Sequence, residues 1–131
     1  MVIMSGSKGY SVLVIDDEVD IREGLTEWLS SVGYTTSSAS NGREALKLLR
    51  ASDHPPDAIL LDMMMPVMDG LSFRWEQLAD RRLAEIPVII LSASGYCYAS
   101  HVELGTAGCI QKPCKPEDLL DLLSRICKTE S

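Results

Sequence analysis

The sequence predicts an α/β protein built on a five-stranded parallel sheet, doubly wound with helices on both faces, in the strand order 2-1-3-4-5. Three observations carry this expectation. Short apolar, β-branched runs alternate with stretches whose apolar residues recur at helical spacing, and parallel strands need such crossovers between them. The first, third and fourth runs are apolar throughout, as strands buried on both faces are, while the polar second and the very short fifth suit the edges. Finally, the runs end in an acid, a serine or a lysine, at the side where an open parallel sheet keeps its crevice.

Taken in order, Ser11 to Ile15 is a β-branched run that stops at Asp16 and Asp17, a buried strand entering a loop. Ile21, Leu25, Trp28, Leu29 and Val32 then mark an amphipathic helix that Gly33 ends. Thr35 to Ser40, rich in Thr and Ser, is expected as an edge strand, followed by a turn at Asn41-Gly42. Ala45, Leu46, Leu48 and Leu49 form a second helix, and Pro55-Pro56 closes that segment before the strand Ala58 to Leu61, which runs into Asp62. A third helix follows Asp69-Gly70, with Leu71, Phe73, Trp75 and Leu78 spread over more than one face. Of these, Trp75 is expected to cover the edge of the core, because large aromatics are mostly buried. Pro87 introduces the strand Val88 to Leu91, which ends at Ser92. Tyr96 to Leu104 is a weak fourth helix, and Cys109 to Gln111 a short strand ending at Lys112-Pro113. In the last helix Pro116 occupies the first turn beside Glu117 and Asp118, and Leu119, Leu122, Leu123 and Ile126 supply the apolar stripe.

A chain of 131 residues, 46% hydrophobic and 24% charged, is ordinary globular composition for one domain. Residues 1–9 are expected as a mobile leader, 10–128 as the domain and 129–131 as a tail. The net charge of −7, with no basic run, argues against binding nucleic acid or an anionic membrane surface. No apolar run approaches the ~20 residues of a membrane-spanning helix, and the leader lacks the apolar stretch of a secretory signal. Cys97, Cys109, Cys114 and Cys127 include no C-x-x-C pair, and His54 and His101 are the only histidines. That pattern disfavours zinc, and reduced thiols in a cytoplasmic protein are expected.

The strand ends carry the chemistry. Asp16 and Asp17, Asp62, Ser92 and Lys112 all converge on one crevice if the strand order holds. Taken singly, each is explained by the turn preference of Asp or by solvation of an edge; five at successive strand ends are not. Crowded carboxylates repel one another unless a cation joins them, and hard oxygen donors favour Mg²⁺ or Ca²⁺. Mg²⁺ held by one or two carboxylates keeps positions open for phosphate oxygens, while a lysine and a hydroxyl opposite clamp the rest of a phosphoryl group. Asp62, leaving the central strand, is expected to lie deepest.

The stretches VLVIDDE at 12–18, NGREAL at 41–46, AILLDMMMPVMDG at 58–70, IPVIILSA at 86–93 and QKP at 111–113 together resemble the receiver domain of two-component response regulators, a flavodoxin-like fold, over nearly the whole chain. The resemblance implies that Asp62 accepts a phosphoryl group from a sensor histidine kinase or histidine phosphotransfer protein. It implies Mg²⁺ on Asp17, Asp62 and the backbone carbonyl of Met64, with Asp16 acting through a water, and Ser92 and Lys112 on the phosphoryl group. It also implies a cis Lys112-Pro113 bond, an output surface over 96–127 that engages a downstream domain or protein, and allowance for a homodimer on phosphorylation. In catalytic terms the protein is then a self-phosphorylating signalling module and not an enzyme acting on a metabolite.

Two departures bear on function. Cys109 stands where receivers commonly carry a switching Tyr or Phe, with Tyr96 and Tyr98 as the neighbouring aromatics, and Gln77 stands near a position usually aliphatic. Met63, Met64 and Met65 read as core filler before a soft partner surface. Two other functions compete. A phosphorylation-independent binding module is favoured only by Cys109, and an aspartate-nucleophile phosphohydrolase is opposed by Met64 at the place of its usual general acid.

Overall fold

The computed structural model describes residues 9–63, 65, 67–93 and 104–127. Five strands, β1 (Ser11–Ile15), β2 (Thr35–Ala39), β3 (Ala58–Asp62), β4 (Val88–Ser92) and β5 (Gly108–Gln111), form one sheet in the order β2-β1-β3-β4-β5. Every pairing is parallel. Four helices are described, α1 (Val19–Ser31), α2 (Gly42–Ala51), α3 (Gly70–Ala79) and α4 (Pro116–Cys127). The helix expected over Tyr96 to Leu104 lies, but for its last residue, outside the described residues, as do the leader up to residue 8 and the tail from residue 128.

The helix starts follow from local chemistry. Asn41 caps α2 by accepting from the Glu44 N–H at 2.8 Å, and the Glu44 carboxylate returns to the Ser40 N–H and hydroxyl, a reciprocal box that satisfies orphan donors at both ends. Asp69 caps α3 through the Ser72 N–H at 2.8 Å. Pro116 opens α4, where its missing N–H costs nothing.

Two apolar layers sandwich the sheet. On one face Leu13, Ile15, Ile59 and Leu61 pack with Leu46, Leu49 and Phe73 of α2 and α3. On the other, Val12, Val14, Leu60, Ile89 and Leu91 pack with Leu29 of α1 and Leu119 and Leu123 of α4. Alternate residues of each central strand therefore feed opposite layers, which is why those strands read as continuous apolar runs. β2 at the edge is mostly exposed, as its polar sequence foretold. Among the described residues no helix is long and apolar enough to cross a membrane.

Tyr34 is buried in the second layer with its hydroxyl unpartnered. Burial, followed by the neighbouring Cys127 and Tyr10, pushes its pKa up to about 12. Tyr34→Phe removes an unsatisfied polar atom at constant ring packing and is expected to leave stability unchanged or raise it by about 1 kcal/mol in urea unfolding at neutral pH. Because the folded tyrosine holds its proton to higher pH than the unfolded one, the wild type loses stability from about pH 10 to 12, and the variant escapes that loss.

The inner face of α3 departs from expectation. Phe73, Arg74 and Gln77 are its buried side chains, while Leu71, Trp75 and Leu78 face solvent, Trp75 at 55% exposure. Trp75 therefore does not cover the core edge. The polar pair can turn inward because it is fully partnered: Arg74 donates to the carbonyls of Leu104 (3.2 Å) and Gly105 (3.1 Å) and to Gln77 Oε1 (2.7 Å). Gln77 Nε2 in turn donates to the Leu83 and Ile86 carbonyls at 2.9 and 3.0 Å. That network fixes the rotation of the helix and leaves the apolar stripe outside.

Met63, partly buried, and Met65 pack into the first layer, in line with their reading as filler. The cysteines are not uniformly reduced as expected: Cys109 is disulfide-bonded, whereas Cys114 and Cys127 form no disulfide. Burial raises the Cys114 pKa, aided by Asp118, so its thiol is an inert one.

Candidate functional site

Strand register assembles the site. Ile15 pairs with Leu61, so Asp16 and Asp62 leave adjacent strands at the same level. Asp62 pairs with Leu91 and Ser92 with Gln111, which brings Ser92 and then Lys112 to the same edge of the sheet. The Lys112 N–H donates to the Ser92 carbonyl at 2.8 Å, extending the ladder one residue past β5. A shift of one register position in any strand would move these side chains to the opposite face.

Asp16 is fully enclosed, Asp62 and Ser92 are 4% exposed, and Asp17 faces solvent. Asp16 is thus more enclosed than Asp62, contrary to the expectation that Asp62 lies deepest. The reason is visible in its contacts: Asp16 Oδ1 accepts from the Glu18 N–H at 2.9 Å, and the first turn of α1 folds over it, with Arg22 donating to its carbonyl at 2.7 Å.

Lys112 Nζ stands 3.0 Å from Asp16 Oδ2 and 3.4 Å from Asp62 Oδ1. Burial alone would lower its pKa, but the hydrogen bond and charge of Asp16, and then those of Asp62, outweigh that influence and raise it above the ordinary lysine value. The ammonium is therefore fixed in its charged form at neutral pH. Glu18 Oε1, 3.6 Å away, is a further acid near this lysine. Sequence reading missed it as a site residue, although it ends the VLVIDDE stretch; nothing but the fold of the loop shows that its side chain turns back.

One carboxylate oxygen from each of Asp16, Asp17 and Asp62 can be chosen so that all lie within 4.8 Å of one another. One lysine cannot balance three such carboxylates. Their spacing and hard-oxygen chemistry fit a divalent cation such as Mg²⁺, with Asp17 as the exposed entrance. Met64 lies outside the described residues. The loop after Asp62 is held close to α3: the Gly70 N–H donates to the Met63 carbonyl at 3.2 Å, and a Cβ at residue 70 would stand 2.7 Å from Met63 Cα and 2.9 Å from the Asp62 carbonyl oxygen. Only glycine permits that approach.

Residues 12–124 match the family model described as the response regulator receiver domain. The chain belongs to this family. As a receiver domain it is 38% identical over 110 residues to a probable transcriptional regulator ycf27 of Guillardia theta, covering 82% of this chain and 41% of the relative. It thus spans about two fifths of that relative's length. Among solved structures, the chemotaxis response regulator CheY4 of Vibrio cholerae superposes with a TM-score of 0.80 at 31% identity, over 90% of this chain and 98% of that one. The response regulator TrrA of Thermotoga maritima, solved in complex with Mg²⁺-BeF, gives a TM-score of 0.77 at 28% identity, over 89% of this chain and 98% of that one. The receiver fold and strand order expected from sequence are therefore as found, and the cis Lys112-Pro113 bond is present. Cys109 lies on β5, where the resemblance placed a switching aromatic. Tyr96 and Tyr98 fall outside the described residues.

Proposed function

We propose that this receiver domain is a phosphoacceptor in which Asp62 takes the phosphoryl group of a sensor kinase or phosphotransfer histidine. The observation that carries the reading is the joint placement of Asp16, Asp17 and Asp62 around one point with Lys112 on two of them. Asp17, Asp62 and the Met64 carbonyl would hold Mg²⁺, with Asp16 acting through a water; when bound, the ion neutralises charge on the transferring phosphoryl oxygens. The TrrA complex with Mg²⁺-BeF supports this assignment.

An Asp62 carboxylate oxygen forms the new bond to phosphorus as the bond from phosphorus to the donor's histidine nitrogen breaks, and the imidazole leaves with the electron pair. Lys112 and the Ser92 hydroxyl take up the phosphoryl oxygens. Lys112 has to turn from Asp16 and Asp62 toward the new charge, and this local pull biases the two-state surface formed by residues 96–127. That surface, which reaches beyond the described residues, would engage the downstream domain or protein, with a homodimer as one product of phosphorylation in the cytoplasm.

Incubation with acetyl phosphate tests the reading. Intact mass should show one phosphoryl adduct with Mg²⁺ and none with a chelator. Absence of an adduct, with no binding of fluoroberyllate, would favour a phosphorylation-independent binding module, the reading that Cys109 supports. Met64, two residues after Asp62, offers no strong hydrogen bond to an attacking water. Met64→Asn is therefore expected to shorten the lifetime of the adduct several-fold, and an unchanged decay rate would remove that role.

A further inference from the structure

Part of the inner face of α3 is polar while its outer face is apolar, and the fold holds it that way. Inside, Arg74 and Gln77 are bonded to the carbonyls of Leu83, Ile86, Leu104 and Gly105. Outside, Leu71, Trp75 and Leu78 stand at 42%, 55% and 39% exposure. Rolling the helix to bury them would part a guanidinium and a carboxamide from their buried partners, which costs more than three half-exposed apolar side chains gain. The stripe is thus kept in solvent by bonds within the protein, and an apolar patch so maintained marks an interaction site.

Its spacing points to the occupant. Leu71, Trp75 and Leu78 recur at i, i+4 and i+7, so they share one face, a turn apart. A tryptophan with a leucine one turn to either side reads the same from both ends of the helix. A two-fold interface requires that property, because one patch must meet itself reversed; a partner of unrelated sequence does not. The charges at the helix ends agree. Asp69 is exposed at the start of α3, and Arg81 and Arg82 are exposed just past its end, with Glu85 further along the chain. Of the other acids near the stripe, Glu76 is engaged by Arg50 at 3.5 Å and Asp80 by the same arginine at 3.3 Å. Antiparallel pairing sets the acidic start of one α3 beside the basic finish of the other, whereas parallel pairing sets like beside like.

We propose that two copies of this chain associate through α3, antiparallel about a two-fold axis at Trp75, each tryptophan packing on its counterpart and each Leu71 on the opposite Leu78. The three side chains offer roughly 300 Å² per copy, well under the ~800 Å² per partner of a standard interface, so the dimer is weak and reversible. A net charge of −7 on each copy weakens it further. The face belongs to α3 and not to the surface over 96–127, and pairing needs no phosphorylation.

Sedimentation velocity without Mg²⁺ or phosphodonor tests the proposal. Between about 10 μM and about 1 mM the wild type should pass from monomer toward dimer, with tryptophan emission moving to the blue as Trp75 leaves water. Trp75→Glu should stay monomeric over that range, a loss of affinity of at least about tenfold. Trp75→Ala, which adds no charge, should weaken pairing in the same direction, and Arg81→Glu should weaken it several-fold by setting two acids together. All three changes are at exposed positions, so unchanged circular dichroism shows that the variants are folded. A wild type that is monomeric at the highest concentration, equal association by Trp75→Glu, or association seen only with Mg²⁺ and fluoroberyllate would each overturn the proposal.

Discussion

Asp62→Asn is expected to form no phosphoryl adduct with acetyl phosphate and Mg²⁺ under conditions that phosphorylate the wild type fully. The amide matches the carboxylate in shape but lacks an anionic oxygen to bond phosphorus. Because Asp62 ends β3 within hydrogen-bonding range of Lys112 and close to Asp16 and Asp17, its loss also reduces the charge that would draw in a divalent cation. Mg²⁺ affinity should fall about tenfold or more, a change read by titration. Stability should not fall alongside, since Asn relieves carboxylate crowding while Asp16 still pairs with Lys112 at 3.0 Å. An adduct of undiminished yield in the variant would place the acceptor elsewhere, with exposed Asp17 the first residue to map by peptide mass.

The second large effect is structural and reverses the usual hydrophobic rule. Gln77→Leu, nearly isosteric and more apolar, is expected to cost about 3 kcal/mol, because a hydrogen bond to a buried charge is lost, the Ile86 carbonyl loses its Gln77 donor and the Leu83 carbonyl is left with the Ile86 N–H. Arg74 would keep the Leu104 and Gly105 carbonyls but lose its shortest contact, at 2.7 Å. Burial lowers the Arg74 pKa, yet an arginine stays charged, so the charge has to be borne. A fall of roughly 10 °C in melting temperature corresponds to that loss for a domain of this size. Trp75→Ala, at a residue 55% exposed, should cost less than half as much. Should the tryptophan prove the costlier substitution, the partnering of Gln77 is not what holds α3 in place.

Much of this was legible in advance because strands buried on both faces admit few sequences. β1, β3 and β4 show as uninterrupted apolar runs, and the residues that follow them had to meet at one edge once the order was known. The order itself followed from the polar β2 and the four-residue β5. What escaped was the part decided by partners instead of periodicity. The inward turn of Arg74 and Gln77 depends on carbonyls of residues 83 and 86, past the end of the helix, and of 104–105, some thirty positions on, so a pattern of apolar spacing could not rank Trp75 outside them. Glu18 near Lys112 and the greater enclosure of Asp16 likewise come from how the first turn of α1 folds back. The disulfide at Cys109 was missed because an expectation about compartment stood in for geometry.

The row of strand ends also sets when the domain becomes competent as it is made. Asp16, Asp62, Ser92 and Lys112 come from four different strands, and the lysine pairs with an acid 96 residues earlier in the chain. Such contacts form late, after long loops have closed. An emerging chain that has reached only β3 carries all three acids but not Lys112, the lysine that pairs with two of them, until β5 docks at the far edge. On the proposed phosphoacceptor reading, an emerging chain without β5 would lack the lysine that takes up the phosphoryl oxygens, so competence for phosphorylation would come only with the complete sheet.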